Sequence, residues 1–394
     1  MTMNVIDRRT LLSRGMTGSL VIGAGGLSAP RLAFGQETGS KKLLFVILRG
    51  AADGLSMLAP VGDPDFARLR RRSLREYENA RKADSFFAIH PTLENIGQAY
   101  SEGEALFVHA AATAYRERSH FDGQNVLETG GSSPFSRRDG WLNRLASLIA
   151  AKAGRQPKAL AVALTMPLAL RGDAPASNYA PTRGRSASAD FMDRVGKLYE
   201  NDPQLGNLLS QALETREMAG DTEMRNLRDY QKTGELAASL MRSEDGAQIG
   251  MVELNGWDSH VNQIGVFRRQ AGQLDALIGA YRSAMGSEWS NTMVLVATEF
   301  GRTVRINGTN GTDHGTGSAA IVLGGGVRGK RVIADWPGLA DNQLFENRDL
   351  RPTTSLQSVF AGSVSEHLGF GPRETMSRLY QDAKEAPLKG ITRA

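Results

Sequence analysis

Three of the six histidines lie within two residues of an aspartate. The pairs are His120 with Asp122, Asp258 with His260, and Asp313 with His314. Neutral imidazole and carboxylate oxygen together are the donors of Zn and Mn sites, whereas oxygen ligands alone suit Ca or Mg. The pattern therefore predicts a site for one or two divalent ions. The alternative interpretation is that these histidines cap loops or fill polar gaps in the core.

A serine and several arginines could act on a substrate beside such an ion. Ser119 precedes His120 at a predicted helix start, where it is either an N-cap or a nucleophile activated by a metal. Asp53 follows a predicted buried strand in an Asp-Gly pair, so it is interpreted either as a turn residue or as a ligand. Arginines clamp anionic substrates through bidentate hydrogen bonds. The candidates are Arg49, Arg116, Arg118 and Arg302.

The elements that must position these groups are six continuous apolar runs separated by helical patterns. The runs predict strands buried on both faces, and they are Leu43–Leu48, Ala105–Val108, Ala159–Leu164, Ile249–Leu254, Met293–Ala297 and Ala319–Leu323. The helical patterns are Pro91–Tyr100, Gly140–Ala153, His260–Met285 and Thr353–Leu368. This alternation predicts an α/β fold, a three-layer αβα sandwich with a mostly parallel sheet. Ligands of such sheets bind beyond the carboxyl ends of the strands, where the candidate residues stand.

Two segments differ from this pattern. Residues 1–35 resemble a twin-arginine signal peptide, with Arg8-Arg9, a short glycine-rich apolar stretch, and the small-residue ending Ala33-Phe34-Gly35. We therefore expect a protein exported by twin-arginine translocation to the periplasm or secreted, with residues 41–394 as its α/β domain. Residues 183–245 are charged and helical in pattern, and they predict a helical insertion that could act as a lid over the site.

Composition and charge exclude several classes of protein. The chain has no cysteine, which excludes disulfides, thiolate metal sites and a cysteine nucleophile. Residues 1–35 contain four arginines and one aspartate, so the rest of the chain carries +2 of the formal +5. A net charge this small does not indicate a nucleic-acid partner. The basic cluster at 68–72 is interpreted as a solvated helix face.

A series of motifs resembles a known family from about Lys41 to Gly369. The motifs are the twin-arginine leader, LRGAADGL (48–55), HPTL (90–93), SHFDGQNVLETG (119–130), WDSHVNQ (257–263), TEFGRT (298–303), GTDHG (311–315) and LGGGVRGK (323–330). In this order they are similar to domain-of-unknown-function family 1501. The family is placed in the alkaline-phosphatase/sulfatase-like superfamily. The resemblance therefore implies an alkaline-phosphatase-like αβα core with a metal centre at the carboxyl edge of the sheet.

The resemblance also implies roles for particular residues. Asp53 and the pair Asp258 and His260 match metal ligands, and Ser119 matches the nucleophile. Two registers remain open for the last ligands: Glu299 with His314, or Asp313 with His314. His120 or Asp122 would assist proton transfer.

These assignments lead to two hypotheses of function. The first is an exported metal-dependent hydrolase of phosphate or sulfate esters, in which Arg49 and Arg302 bind the anionic ester. The second is a non-catalytic periplasmic binding or assembly protein that keeps the sulfatase-like fold. The family's members often occur beside a second uncharacterised exported family, which implies a partner protein. Once processed, the chain is expected not to span a membrane.

Overall fold

The computed structural model describes residues 41–180 and 227–393, together with residues 195, 209, 210, 213, 215 and 219. The expected signal peptide and most of the expected insertion at 183–245 lie outside these residues. Within the described part of that insertion, residues 230–241 form a helix.

A central sheet of nine strands organises the described residues. Its order is β10-β4-β9-β8-β1-β7-β5-β6, with β11 pairing to β4. Strands β2 and β3 form a separate antiparallel pair. The strands are β1 Lys42–Arg49, β2 Leu58–Ala59, β3 Ala88–Ile89, β4 Ala105–Ala112, β5 Ala159–Val162, β6 Ser177–Tyr179, β7 Ile249–Asn255, β8 Thr292–Thr298, β9 Ser318–Leu323, β10 Arg331–Ile333 and β11 Thr354–Ser355. Only β9 runs antiparallel to its neighbours in this sheet, β4 and β8. The prediction of a mostly parallel sheet is confirmed.

Helices cover both faces of the sheet. They are α1 Gly54–Met57, α2 Pro64–Leu69, α3 Arg71–Leu74, α4 Glu94–Ser101, α5 His120–Thr129, α6 Trp141–Ala153, α7 Tyr230–Met241, α8 Gln263–Met285, α9 Leu356–Leu368 and α10 Pro372–Leu379, with 3₁₀ turns at Arg75–Tyr77, Leu168–Leu170, Gly286–Asn291 and Asp341–Gln343. Among the described residues, no helix is long and apolar enough to cross a bilayer.

The two cores follow from the alternation of side chains along β1. Leu44, Val46 and Leu48 belong to the core that includes α4, α7 and α8. Leu43, Phe45 and Ile47 belong to the opposite core, with α6, α9 and α10. Both faces are therefore buried, which is why the strand reads as an unbroken apolar run. The three-layer αβα architecture is confirmed.

The register of the central strands brings their carboxyl ends level. Arg49 at the end of β1 pairs with Asn255 of β7, and Leu48 pairs with Thr298 of β8. The segments that leave these strands consequently start at one edge of the sheet. The amino end of the antiparallel β9 lies at this same edge, so the loop from β8 to β9 stays there.

One arginine of the basic cluster is not solvated, contrary to the interpretation from sequence. Arg70 lies between α2 and α3 and is 1% exposed. The bend between the two short helices directs its guanidinium inward, where it pairs with Asp53. Along a helix residues 68 and 72 share a face and residue 70 lies on the opposite one, so Arg70 is buried while Arg68 and Arg72 stay exposed.

Candidate metal centre

Three histidines and one aspartate meet at the carboxyl edge of the sheet. His120 is the first residue of α5, Asp258 and His260 lie in the segment between β7 and α8, and His314 lies in the loop between β8 and β9. Ligand atoms of His120, Asp258 and His314 lie within 4.8 Å of one another.

The Nε2 atoms of all three imidazoles face the Asp258 carboxylate. His260 Nε2 lies 3.0 Å and His314 Nε2 lies 3.2 Å from Asp258 Oδ1. His120 Nε2 lies 3.5 Å from Asp258 Oδ2. The Nε2 atoms of His260 and His314 are 3.0 Å apart.

The other ring nitrogen of each histidine is held by an acceptor. Nδ1 of His120 lies 2.8 Å from Glu299 Oε1, and Nδ1 of His260 lies 3.2 Å from Asp313 Oδ1. Nδ1 of His314 lies 2.9 Å from the backbone oxygen of Arg118. A carbonyl or a carboxylate only accepts, so the tautomer with its proton on Nδ1 satisfies these three contacts and leaves a bare Nε2 that can bind a metal.

Bare nitrogen lone pairs beside a carboxylate repel one another unless a cation lies between them. His120 Nε2 is also buried without a hydrogen-bond partner. Tetrahedral zinc with bonds of about 2.0–2.1 Å places its ligands about 3.3 Å apart, and the measured separations are of that size. Histidine ligands of metals characteristically donate their second nitrogen to a carboxylate or a carbonyl. The residues present therefore fit one divalent ion.

Arg302 keeps Asp258 ionised and in place. The guanidinium is buried; its Nη1 donates to Asp258 Oδ1 at 2.6 Å, and its Nε donates to Thr312 Oγ1 at 3.0 Å. Burial alone would raise the pKa of Asp258, but the hydrogen bond and charge of Arg302 hold that pKa below its usual value. The carboxylate therefore remains an anionic ligand.

Glu299 is a fully buried carboxylate behind His120. Its Oε1 accepts hydrogen bonds from the backbone N–H of Gly50 at 2.8 Å and from Gln124 at 3.0 Å. The same oxygen also accepts from Nδ1 of His120. Burial raises the pKa of Glu299, yet hydrogen bonds from His120 and Gln124 outweigh burial and lower it. Burial lowers the pKa of His120, but Glu299 and Asp258 together outweigh burial and raise it. The pKa of His314 is lowered, chiefly by burial.

Local backbone geometry aims two of these groups. Arg118 has a left-handed φ of +64°, uncommon for a residue with a side chain, and its carbonyl accepts from His314. Gly311 passes so close to His260 that a Cβ would lie 1.9 Å from its carbonyl oxygen. This contact requires glycine, and it brings the β8–β9 loop against the segment that carries His260.

A family model, described as a protein of unknown function (DUF1501), matches residues 40–376. The chain belongs to the DUF1501 family. No curated protein matches it.

Solved structures similar to this DUF1501 chain include three bacterial proteins. Alkaline phosphatase from the Antarctic bacterium TAB5 is 10% identical with a TM-score of 0.37, over 86% of this chain and 96% of that chain. The lipoteichoic acid synthase LtaP from Listeria monocytogenes is 10% identical with a TM-score of 0.39, over 84% and 72%. The C-terminal periplasmic domain of EptC from Escherichia coli, in complex with Zn, is 9% identical with a TM-score of 0.34, over 73% and 74%.

The sequence left open whether Glu299 or Asp313 is a metal ligand. In the structure each of the two carboxylates contacts Nδ1 of a histidine of the DUF1501 chain. Glu299 holds His120, and Asp313 holds His260, so neither faces the centre of the group. His120, expected to assist proton transfer, is instead placed among the candidate ligands.

Asp53 does not join the histidine group. Its carboxylate pairs with Arg70 at 2.6 Å and also accepts from Ser56 at 2.6 Å and Gln263 at 2.7 Å. Burial raises the pKa of Asp53, but the charge of Arg70 together with hydrogen bonds from Arg70 and Ser56 outweighs burial and lowers it. The Arg70 guanidinium compensates the charge of this carboxylate.

The remaining predicted residues have local partners. Ser119 caps α5, its Oγ accepting from the backbone N–H of Asp122 at 3.4 Å. The Asp122 side chain accepts from the Tyr115 hydroxyl at 3.4 Å. Arg49, expected to bind substrate, pairs with Glu253 and with Glu128 at 2.9 Å. Its guanidinium is therefore committed to carboxylates, as is that of Arg302.

Sequence reasoning missed Gln263, which links the buried Arg70–Asp53 pair to the pair formed by Arg302 and Asp258. Gln263 donates to Asp53, and its Oε1 accepts from Thr312 at 2.9 Å, the residue that also binds Arg302. A glutamine at a helix start carries no sequence signal for this role, because both partners are far away along the chain.

Proposed function

We propose that the protein is an exported metal-dependent hydrolase of phosphate or sulfate esters. The observation that carries the proposal is the convergence of three imidazole Nε2 atoms on Asp258 in a group open to solvent. The side chains of Asp258 and His260 are 41% and 46% exposed, so an ester can approach. The class of ester follows from the family resemblance.

Three imidazoles and one carboxylate favour Zn over Ca or Mg, which prefer oxygen ligands. Among residues 41–180 and 227–393, the donor group found is His120, Asp258 and His314, with His260 beside Asp258, and a group of this size suits one ion. When bound, the ion supplies Lewis-acid chemistry that polarises the ester and lowers the pKa of a water molecule.

The chain's own groups hold the site in shape. Glu299, Asp313 and the Arg118 carbonyl fix the three imidazole rings with Nε2 toward the centre. Arg302 holds Asp258 from the buried side, which leaves the solvent-facing side for the substrate. Preorganisation of this kind is what lets a metal site act without rearrangement during the reaction.

The nucleophile is Ser119 or a water molecule, and one variant separates them. Ser119→Ala removes a helix cap, which costs about 1 kcal/mol of stability, and leaves the four donors intact. With Ser119 as nucleophile, kcat falls by several orders of magnitude at unchanged metal content. With water as nucleophile, kcat changes little.

The second candidate is a binding protein that uses the same ion without turnover. Elemental analysis of the purified protein, followed by a panel of aryl phosphate and aryl sulfate esters, decides between them. We expect about one equivalent of zinc and hydrolysis that chelation abolishes. His314→Ala should lose both, whereas Glu374→Ala, at an exposed site on α10, should lose neither.

Each alternative outcome has a defined meaning. A full equivalent of ion without turnover on either ester class would favour the binding protein. Protein that binds no divalent ion after dialysis against zinc would refute both candidates. Release of the mature protein into a periplasmic fraction, dependent on Arg8-Arg9, tests the proposed export.

A further inference from the structure

Two phenylalanine side chains are exposed to solvent near the candidate ligand His120. Phe121 is 73% exposed and Phe135 is 56% exposed, whereas the other phenylalanine rings of the described core are buried or half-buried. The two rings contact each other with centroids 5.4 Å apart and planes tilted by 41°. They form one small apolar surface, which we call the phenylalanine pair.

The backbone of Phe135 is strained in a way that holds this surface. Its φ is +58°, the left-handed region that bulky residues rarely adopt. Its N–H donates to Asn125 Oδ1 at 2.8 Å, and Asn125 is buried on α5. Helix α5 therefore carries Phe121 and also anchors Phe135. Strain of this kind persists where the surroundings impose it and is typical of functional sites.

The phenylalanine pair adjoins the metal centre through the first turn of α5. His120 and Phe121 are consecutive, so their Cα atoms are about 3.8 Å apart. The His120 ring points inward, stacked on buried Phe300 with centroids 5.0 Å apart, while Phe121 points to solvent. The pair therefore lies on the solvent side of the helix turn that also carries the candidate ligand.

We propose that the phenylalanine pair binds a planar aromatic group of the ester held at the metal centre. The proposal rests on the proposed function and specifies its substrate class. Aromatic faces bind planar rings by offset or edge-to-face contact. Two phenyl rings offer an area suited to one such ring, far below the roughly 800 Å² per partner of a stable protein interface.

The test uses matched pairs of non-hydrolysable probes on the zinc-loaded full chain. Phenylphosphonate and methylphosphonate, and benzenesulfonate and methanesulfonate, differ only in the ring. By calorimetry we expect the wild type to bind the phenyl member about tenfold more tightly, within the usual strength of aromatic pairs. Phe121→Ala and Phe135→Ala should each remove most of that preference and leave the methyl member unaffected.

A further variant separates function from folding. Phe135→Gly relieves the positive φ, so it should raise the melting temperature while it lowers affinity for the phenyl probe. Leu164→Ala removes another exposed apolar side chain, 79% exposed beyond β5, and should change neither. Zinc content is measured for every variant, so loss of the ion is not mistaken for loss of the ring contact.

The outcomes distinguish the two levels of the proposal. If no probe binds the zinc-loaded wild type, the proposed ester site fails and this inference fails with it. If phenyl and methyl probes bind equally, or the preference survives Phe121→Ala, the inference alone is overturned. Loss of binding to phosphatidylglycerol vesicles in Phe121→Ala, with the ring preference intact, would assign the pair to a membrane surface and also overturn it.

Discussion

Replacing Glu299 with glutamine should weaken metal binding without disturbing the fold. The amide oxygen can still accept from His120, Gly50 and Gln124, as Oε1 does now. The amide nitrogen would take the place of Oε2, which lies 2.9 Å from the Thr298 hydroxyl, and a hydroxyl can accept as well as donate. The substitution therefore removes one negative charge and little else.

The size of the effect follows from what that charge does. An ionised carboxylate behind a histidine ligand makes the ring more basic and fixes its tautomer, and loss of such a partner typically lowers metal affinity 10–100-fold. We expect this range for Glu299→Gln, equivalent to about 1.4–2.7 kcal/mol. His120→Ala, which removes the ligand itself, should lower affinity further.

The assay is a zinc titration in competition with a chromophoric chelator, with urea unfolding in parallel. Asp275→Asn is the matched control, because Asp275 is also a buried carboxylate that accepts backbone N–H groups, from Asn95 and Ile96. It lies on α8 away from the histidines, and zinc affinity should not change. A folded Glu299→Gln protein that binds zinc as tightly as the wild type would refute the assigned role of Glu299.

Three further predictions concern stability. Burial lowers the pKa of His109 and of His367 to about 4. Between pH 4 and 6.5 the unfolded chain therefore binds more protons than the folded chain, and the free energy of unfolding falls as the pH drops through this window. Each histidine costs about 2 kcal/mol of stability between pH 7.5 and 5, so urea unfolding of His367→Gln at these two pH values should show a smaller loss of stability. Arg70→Met leaves Asp53 buried without its cation and should lower the free energy of unfolding by about 3–5 kcal/mol, whereas Arg70→Met with Asp53→Leu should restore part of it. Zinc at 100 times its dissociation constant should add about 2.7 kcal/mol to stability, so a chelator that leaves the melting temperature unchanged would contradict a bound ion.

The sheet could be predicted from the sequence because its signal is local. A strand buried on both faces must be apolar at every position, and the run at 43–48 differs from β1 by one residue at each end. Helix starts were harder to place. The pattern at 260–285 predicted helix three residues too early, because the backbone at Asn262 is left-handed and its side chain caps α8 at Gly265.

The edge that carries the site could be predicted, but the direction of each side chain could not. Asp313 and His314 are neighbours in sequence, yet the Asp313 side chain contacts Nδ1 of His260 on its outer side, whereas the His314 ring faces Asp258 and Nε2 of His260 at the centre of the group. Consecutive residues of an extended segment point to opposite sides, so nearness in sequence does not give the partner. The buried guanidinium of Arg70 donates hydrogen bonds to the backbone oxygens of Thr303 and Val304. Because these residues lie more than 200 positions away along the chain, the local sequence around Arg70 does not indicate the contact.

The candidate ligands are supplied by segments as distant along the chain as His120 and His314, and by loops that follow different strands. In an unfolded chain the four donors are dispersed, so high-affinity uptake of an ion comes after assembly of the whole sheet. Retention of the proposed ion would therefore report that folding is complete. For the metal site proposed above, the compartment where the chain first becomes compact, and the free metal concentrations there, would then decide which metal is bound.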